Sequence, residues 1–262
     1  MAAERRRPAV LALGVVVAAM AMLLGLVVVV GLVLASRIDN AELPPARGAG
    51  DGIVEADVAP DTPAPQPPAL DPGTDLAAWA GGVAEAQGLP ERVVRAYGAA
   101  ELALRAENPD CRLSWATLAG IGRVESHHGQ IGQADVDSDG VARPSIIGVP
   151  LDGTEGTREI LDTDGGLLDG DTLLDRAVGP MQFLPTTWER FGADGNGDGV
   201  NDPQQIDDAA LAAGNYLCAG GRDTGTGPGW WAGVLTYNNS NAYGRLVWAA
   251  VERYTGPPPS GG

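Results

Sequence analysis

Between Ser114 and Gly129 the chain reads SWATLAGIGRVESHHG, and Trp115, Leu118, Ile121 and Gly122 recur at spacings of three and four behind a serine suited to cap a helix. Glu125 continues that stripe, so an acid stands where a core residue belongs. A carboxyl group backed by apolar side chains loses hydration, its charged form is disfavoured, and its pKa should rise. A structural reading stands beside the catalytic one: a buried Glu satisfied by Arg123 or a backbone amide, or a Glu at a fraying helix end.

Helical periodicity recurs on both sides of this stretch. DLAAWAGGVAEAQ and, after Pro90, ERVVRAYGAAELALRAEN precede it; DTLLDRAV, PTTWERFG, IDDAALAAGNYLCAGG, GWWAGVLTYNNS and NAYGRLVWAAVERYTG follow. The pattern predicts about seven helices and little strand, hence a mainly α domain with a small irregular or β-containing lobe. Residues 130–171 lack helical period and are crowded with Gly, Asp and Pro; IIGVPL there is a candidate short strand. Loops of this length in a domain are functional or disordered.

Upstream the pattern changes twice. Arg5, Arg6 and Arg7 precede an uncharged apolar run from Ala9 to Ala35, roughly 40 Å long as a helix and enough to span a bilayer. The basic cluster places residues 1–8 in the cytoplasm, 9–35 in the membrane as a single-pass anchor, and the remainder outside. Secretion after signal cleavage is the alternative, although the run is long for a signal peptide. Residues 36–72, rich in Pro and Ala, read as a semi-extended linker. A folded domain over 73–256 and a flexible tail over 257–262 complete the division.

Charge narrows the partners. The 262 residues carry 34 acidic and 17 basic side chains, a formal charge of −17, and every basic side chain is Arg. Nucleic acid is excluded as a partner class, since its affinity comes from basic groups neutralising phosphates. The two histidines, His127 and His128, have no CxxC or HExxH pattern with which to build a zinc site. Cys111 and Cys218, the only cysteines, would pair in an exported domain and close a loop of about a hundred residues. Two free buried thiols are the alternative.

The run from Asp194 to Asp202, DGNGDGVND, puts oxygen side chains at the first, third and fifth positions of an EF-hand-like loop. Gly199 supplies its tight turn, Val200 a backbone carbonyl and Asp202 a further side chain. A structural calcium ion held by Asp194, Asn196, Asp198, Val200 and Asp202 is the expectation; a turn satisfied by its own backbone is the alternative. Gln205 stands where an EF-hand carries a bidentate acid. DVDSDG at residues 135–140 echoes the pattern without further ligands and reads as a solvated turn.

Glu125-Ser126, then Gly179-Pro180-Met181-Gln182, then Tyr237-Asn238, in this order and at these separations, resemble the lysozyme-like lytic murein transglycosylases. GRVESHHG, AVGPMQFLPTTW, DGNGDG and DDAALAAGNYL are most similar to the membrane-bound lytic transglycosylase B type. The resemblance spans roughly Leu113 to Tyr254 and implies a catalytic domain over 73–256. It implies Glu125 as the catalytic group and Ser126, Met181, Gln182, Phe183, Tyr237 and Asn238 as substrate-binding groups. The implied substrate is the peptidoglycan glycan strand, cleaved at the MurNAc-GlcNAc β-1,4 bond to leave 1,6-anhydro ends, with no cofactor for the chemistry. Trp230 and Trp231 are candidates to stack on sugars, although adjacent helical residues cannot both face a groove. Two alternatives remain open: a hydrolytic muramidase of the same fold, and a non-catalytic, calcium-stabilised wall-binding module.

Overall fold

The computed structural model describes residues 52–154 and 158–256. The expected anchor over 9–35, its cytoplasmic flank, the first part of the linker and the tail over 257–262 lie outside the described residues. Among the described residues no helix is long and apolar enough to cross a membrane.

Seven α-helices are found among the described residues: α1 (Leu76–Gln87), α2 (Glu91–Glu107), α3 (Trp115–Ser126), α4 (Pro185–Phe191), α5 (Ile206–Cys218), α6 (Gly227–Tyr237) and α7 (Asn241–Thr255). Their ends follow the chemistry of their sequences. Asp75 accepts a hydrogen bond from the Ala78 amide at the start of α1, and Gly88 ends that helix in the left-handed conformation. Ser114 accepts from Thr117 N–H at 3.4 Å to open α3, and Thr226 opens α6 in the same way.

Helix α3 is buried almost all round. Only Arg123 and Val124 among its residues are more than slightly exposed, so it is the centre of the core rather than an amphipathic surface helix. Helix α7 lies along it and presents Val247 and Val251 to Gly120. Helix α2 contacts α5, whose buried residues include Ala209, Ala210, Ala212, Ala213 and Gly214; small side chains let the backbones approach. Trp230 and Trp231 both belong to the core, and the Trp230 indole N–H donates to Thr117 Oγ1 at 3.2 Å. Their candidacy for sugar stacking ends there.

Between α3 and α4 the chain forms the expected irregular lobe. Two-residue strands β1 (Asp135–Val136) and β2 (Ala142–Arg143) pair antiparallel, with Asp135 opposite Arg143. The turn between them is the DVDSDG echo, where Asp137 Oδ1 accepts from the Asp139 and Val141 amides at 3.0 Å each. Isolated bridges Ile147–Val178, Asp152–Glu159 and Leu161–Leu174 hold the rest of the lobe together. IIGVPL is thus bridged without forming a continuous strand. DTLLDRAV, expected as helix, is not helical. Asp171 takes the amides of Leu173 and Leu174, and Asp169 that of Arg176, so side chains capture the donors that a helix would use.

The linker expected over 36–72 is a packed strap in its described part, residues 52–72. Ala64 and Leu70 are buried, and Ile53, Ala56 and Val58 rest against the core. The indole N–H groups of Trp231 and Trp248 donate to the carbonyls of Thr62 and Pro63 at 2.9 and 3.2 Å, Leu70 N–H donates to the buried Glu101, and Glu55 pairs with Arg245. Residues 52–72 are therefore packed as part of the domain and not held apart from it as a linker.

Cys111 and Cys218 are joined, with Cα atoms 5.5 Å apart and a sequence separation of 107. The bridge ties the turn between α2 and α3 to the end of α5 and shrinks the unfolded ensemble. Replacing both cysteines by serine is expected to lower unfolding free energy by about 2–5 kcal/mol, read from urea titration of the oxidised chain against the variant.

Candidate active site

Glu125 sits in the last turn of α3, one residue before the helix ends, and is 5% exposed. Two left-handed residues follow, His127 and His128 at φ 53° and 63°, and turn the chain sharply away. The Tyr243 hydroxyl, from the first turn of α7, donates a hydrogen bond to Glu125 Oε1. Burial pushes the Glu125 pKa up to about 7, and the Tyr243 bond works in the opposite direction by favouring the carboxylate. Among the described residues no second carboxyl group contributes to that shift.

Tyr243 was not among the groups expected from sequence. The signal was present: a tyrosine in the first turn of a helix, on the face that packs into the core. Its partner lies 118 residues away, which no local pattern reveals. Tyr237 closes α6 beside the same carboxyl group. Its hydroxyl is buried without a hydrogen-bond partner among the described residues, and its pKa is raised first by burial and then by the nearby Glu125 charge. Its ring packs between Phe183 and Tyr216, at centroid distances of 5.8 and 5.4 Å. Asn238 follows, buried and extended.

The Gly179–Gln182 segment is a tight turn closed by Val178 and Phe183, which exchange both backbone hydrogen bonds at 2.9 Å. Gly179 has φ 76°, and a Cβ there would fall 1.8 Å from the Pro203 carbonyl oxygen, so only glycine fits. Ser126 Oγ donates to the Pro180 carbonyl at 2.5 Å and accepts from Gly129 N–H at 2.7 Å. It fastens the turn to the end of α3. Met181 is fully buried with its sulfur against Gly122, and Phe183 packs edge-on to Trp188 at 5.3 Å. Ser126, Met181 and Phe183, expected to touch substrate, thus touch protein and set the shape of the wall. Gln182 is half-buried at φ 49°, with Nε2 donating to the Gly179 carbonyl at 2.9 Å.

Behind α3, His128 is buried between two tyrosines, Nδ1 at 3.2 Å from Tyr97 Oη and Nε2 at 2.8 Å from Tyr254 Oη. Burial, then Arg123 and His127, push its pKa down to about 3, so it stays neutral and serves as a pin between helices.

The Asp194–Asp202 loop is folded on itself. Asp194 accepts from the amides of Gly197, Asp198 and Gly199, Asn196 from Asp198, and Asp198 from Val200. Gln205 is turned away, its Oε1 taking the Asp207 amide at the start of α5 and its Nε2 reaching the Asp139 carbonyl. Closure falls to Asp208, fully buried, whose two oxygens take the amides of Gly195, Asn196 and Asp202. An acid on the alanine face of α5 was the sequence signal for it. The side chains of Asp194, Asn196, Asp198 and Asp202 and the Val200 carbonyl fit a hard cation by donor type, without the bidentate acid of a full EF-hand. A separate carboxylate group, Asp162, Asp164 and Asp175, has ligand oxygens within 4.8 Å of one another.

A buried acid raised in the folded state works against stability once it must ionise. Between the ordinary value of 4.5 and about 7 the folded form holds the proton that the unfolded form has lost, so stability falls as pH rises through that window. Glu125→Gln should therefore be more stable than the parent at pH 8, by up to about 3 kcal/mol, and indistinguishable from it at pH 4. Paired urea titrations at the two pH values measure this.

No curated protein and no solved structure matches the chain. Residues 176–234 match the family model described as "Transglycosylase SLT domain". That span takes in the Gly179–Gln182 turn, α4, the acidic loop, α5 and most of α6, and stops short of Glu125 and Tyr237. The mainly helical architecture accords with a lysozyme-like domain, and over residues 176–234 the chain carries the sequence pattern of a transglycosylase SLT domain.

Proposed function

We propose that the chain is a peptidoglycan lytic transglycosylase in which Glu125 acts first as acid and then as base. The observation that carries this reading is the buried Glu125 carboxyl with its pKa near 7 and a tyrosine as its hydrogen-bond partner. Near neutrality such a group is present in both protonation states, which suits a residue that must give and then take a proton. A paired-carboxylate glycosidase places a second carboxyl within roughly 5–10 Å, where its charge would raise the pKa of the first. Burial alone accounts for the rise at Glu125.

In the proposed reaction, protonated Glu125 gives its proton to the glycosidic oxygen as the bond to MurNAc C1 breaks. The substrate's own 2-acetamido oxygen stabilises the positive charge that develops at C1. The Glu125 carboxylate then removes the proton from the C6 hydroxyl, whose oxygen attacks C1 and closes the 1,6-anhydro ring. Tyr243 holds Oε1, fixes the plane of the carboxyl group and supports its charged form. Gln182, Tyr237 and Asn238 line the approach; the buried, unpartnered Tyr237 hydroxyl is the donor best placed to be satisfied by a sugar acetamide or hydroxyl.

The same proposal holds residues 9–35 in the membrane, with the domain outside and within reach of the wall, and a calcium ion in the Asp194–Asp202 loop. That ion would brace the segment between α4 and α5 and take no part in bond cleavage.

The chain should release muropeptides ending in 1,6-anhydro-MurNAc from purified peptidoglycan, and Glu125→Gln should release none while keeping its near-ultraviolet circular dichroism. Mass spectrometry decides the chemistry, because a hydrolytic product is heavier by one water. Reducing ends would reassign the chain to the muramidases, and undiminished release by the variant would remove Glu125 from catalysis. For the loop, EDTA is expected to lower the melting temperature and added calcium to restore it; an unchanged melting curve rejects the calcium site.

A further inference from the structure

Gln204 lies between the acidic loop and α5, outside the motifs that carry the resemblance, and it is bonded to the lobe by both its backbone and its side chain. It is 9% exposed. Its Oε1 accepts from Ile146 N–H at 2.9 Å, and its Nε2 donates to the Ile146 carbonyl at 3.0 Å. Its own carbonyl accepts from Ala142 N–H at 2.9 Å, and its N–H donates to Asp202 Oδ1 at 2.8 Å. The carboxamide thus stands in for a peptide group and makes with Ile146 the two bonds that a neighbouring strand would make.

Ile146 is the residue on which the Gly179–Gln182 turn hangs. Its carbonyl, already held by Gln204, also accepts from Gly179 N–H at 2.9 Å. From below, the Pro203 carbonyl touches Gly179 so closely that no side chain fits between them. Gly179 in turn offers its carbonyl to both the backbone and the side-chain N–H of Gln182, at 3.0 and 2.9 Å. The next residue, Pro180, is the one Ser126 binds beside Glu125. An unbroken series of hydrogen bonds therefore runs from Gln204 through Ile146 and Gly179 to Gln182.

We propose that Gln204 is a positioning residue for the lytic reaction: with Pro203 it seats the Gly179–Gln182 turn and so sets where Gln182 stands relative to Glu125. This rests on the reading of the site as a glycan-cleaving one. Only glutamine has the length and the paired donor and acceptor that the position uses. Methionine fills the space and makes neither bond; glutamate keeps the acceptor for Ile146 N–H and sets a second acceptor against the Ile146 carbonyl, where a bond is lost.

The test uses the full-length chain and the variants Gln204→Met, Gln182→Ala and their combination, with peptidoglycan turnover and amide hydrogen exchange as readouts. Gln204→Met should keep its near-ultraviolet circular dichroism and lose about ten- to a hundredfold in kcat/KM, as expected when a reacting geometry shifts by roughly 1 Å. The double variant should fall no lower than Gln182→Ala alone, because the first residue acts through the second. The midpoint of the pH profile should stay in place, since the Glu125–Tyr243 pair is untouched. The Gly179 amide should exchange faster. Parental kcat/KM in Gln204→Met, or losses that multiply fully in the double variant, would overturn the proposal. Should Gln204→Met unfold, Gln204→Glu carries the same comparisons. If the parent chain releases no product, it is the lytic reading that fails; exchange at Gly179 then decides alone, with acceleration upholding the seating and unchanged protection overturning it.

Discussion

The structure depends on tolerating the Glu125 carboxyl group in its core. Glu125 lies where a helix buried on nearly every side would otherwise carry a leucine, and dehydration drives its pKa to about 7. What makes this bearable is local. A tyrosine donates to the carboxyl from α7, and the helix stops one residue later, so the acid borders a turn instead of continuous packing. Close approach by neighbouring side chains and backbone is built in by small residues. Gly122, one turn earlier, leaves room for the Tyr97 hydroxyl and the Met181 sulfur, and Gly179 lets the facing turn rest on Pro203.

Around that acid, most groups that resemble substrate ligands hold the site's shape. Ser126 ties the end of α3 to Pro180, Met181 and Phe183 fill the core beneath the turn, and His128 pins α3 to α2 and α7 through two tyrosines. The irregular lobe is therefore more than a decoration between helices. Through Ile146 it supplies the carbonyl that receives Gly179, and through Gln204 it is joined to the segment following the acidic loop. Support and the proposed chemistry are thereby separated: Tyr243 and Tyr237 stand beside the Glu125 carboxyl, and Ser126, Met181, Phe183 and His128 hold the surrounding backbone in register.

How much of this was legible depended on whether the cause was local. The helix of Glu125 and its odd acid could be read from spacing and a capping serine, and the pairing of Cys111 with Cys218 from their number and the exported setting expected for the domain. The strap over residues 52–72 could not, because its composition is that of a linker. What holds it are indole N–H groups of Trp231 and Trp248, 169 and 185 residues away in sequence. DTLLDRAV misled in the opposite direction: its leucines have helical spacing, but the aspartates around them take the amides first. Tyr243 and Asp208 were visible as polar groups on apolar faces, the signal that identified Glu125. Only the fold shows that one meets the Glu125 carboxyl and the other closes the loop in place of Gln205.

The central claim is that the buried Glu125 carboxyl group changes protonation state near neutrality. Carbon-13 nuclear magnetic resonance of the Glu125 side-chain carboxyl, assigned by its loss in Glu125→Gln, measures that directly. The account predicts a titration midpoint near 7. A midpoint at the ordinary value near 4.5 would contradict it, because a group ionised throughout the neutral range has no proton to give to the glycosidic oxygen.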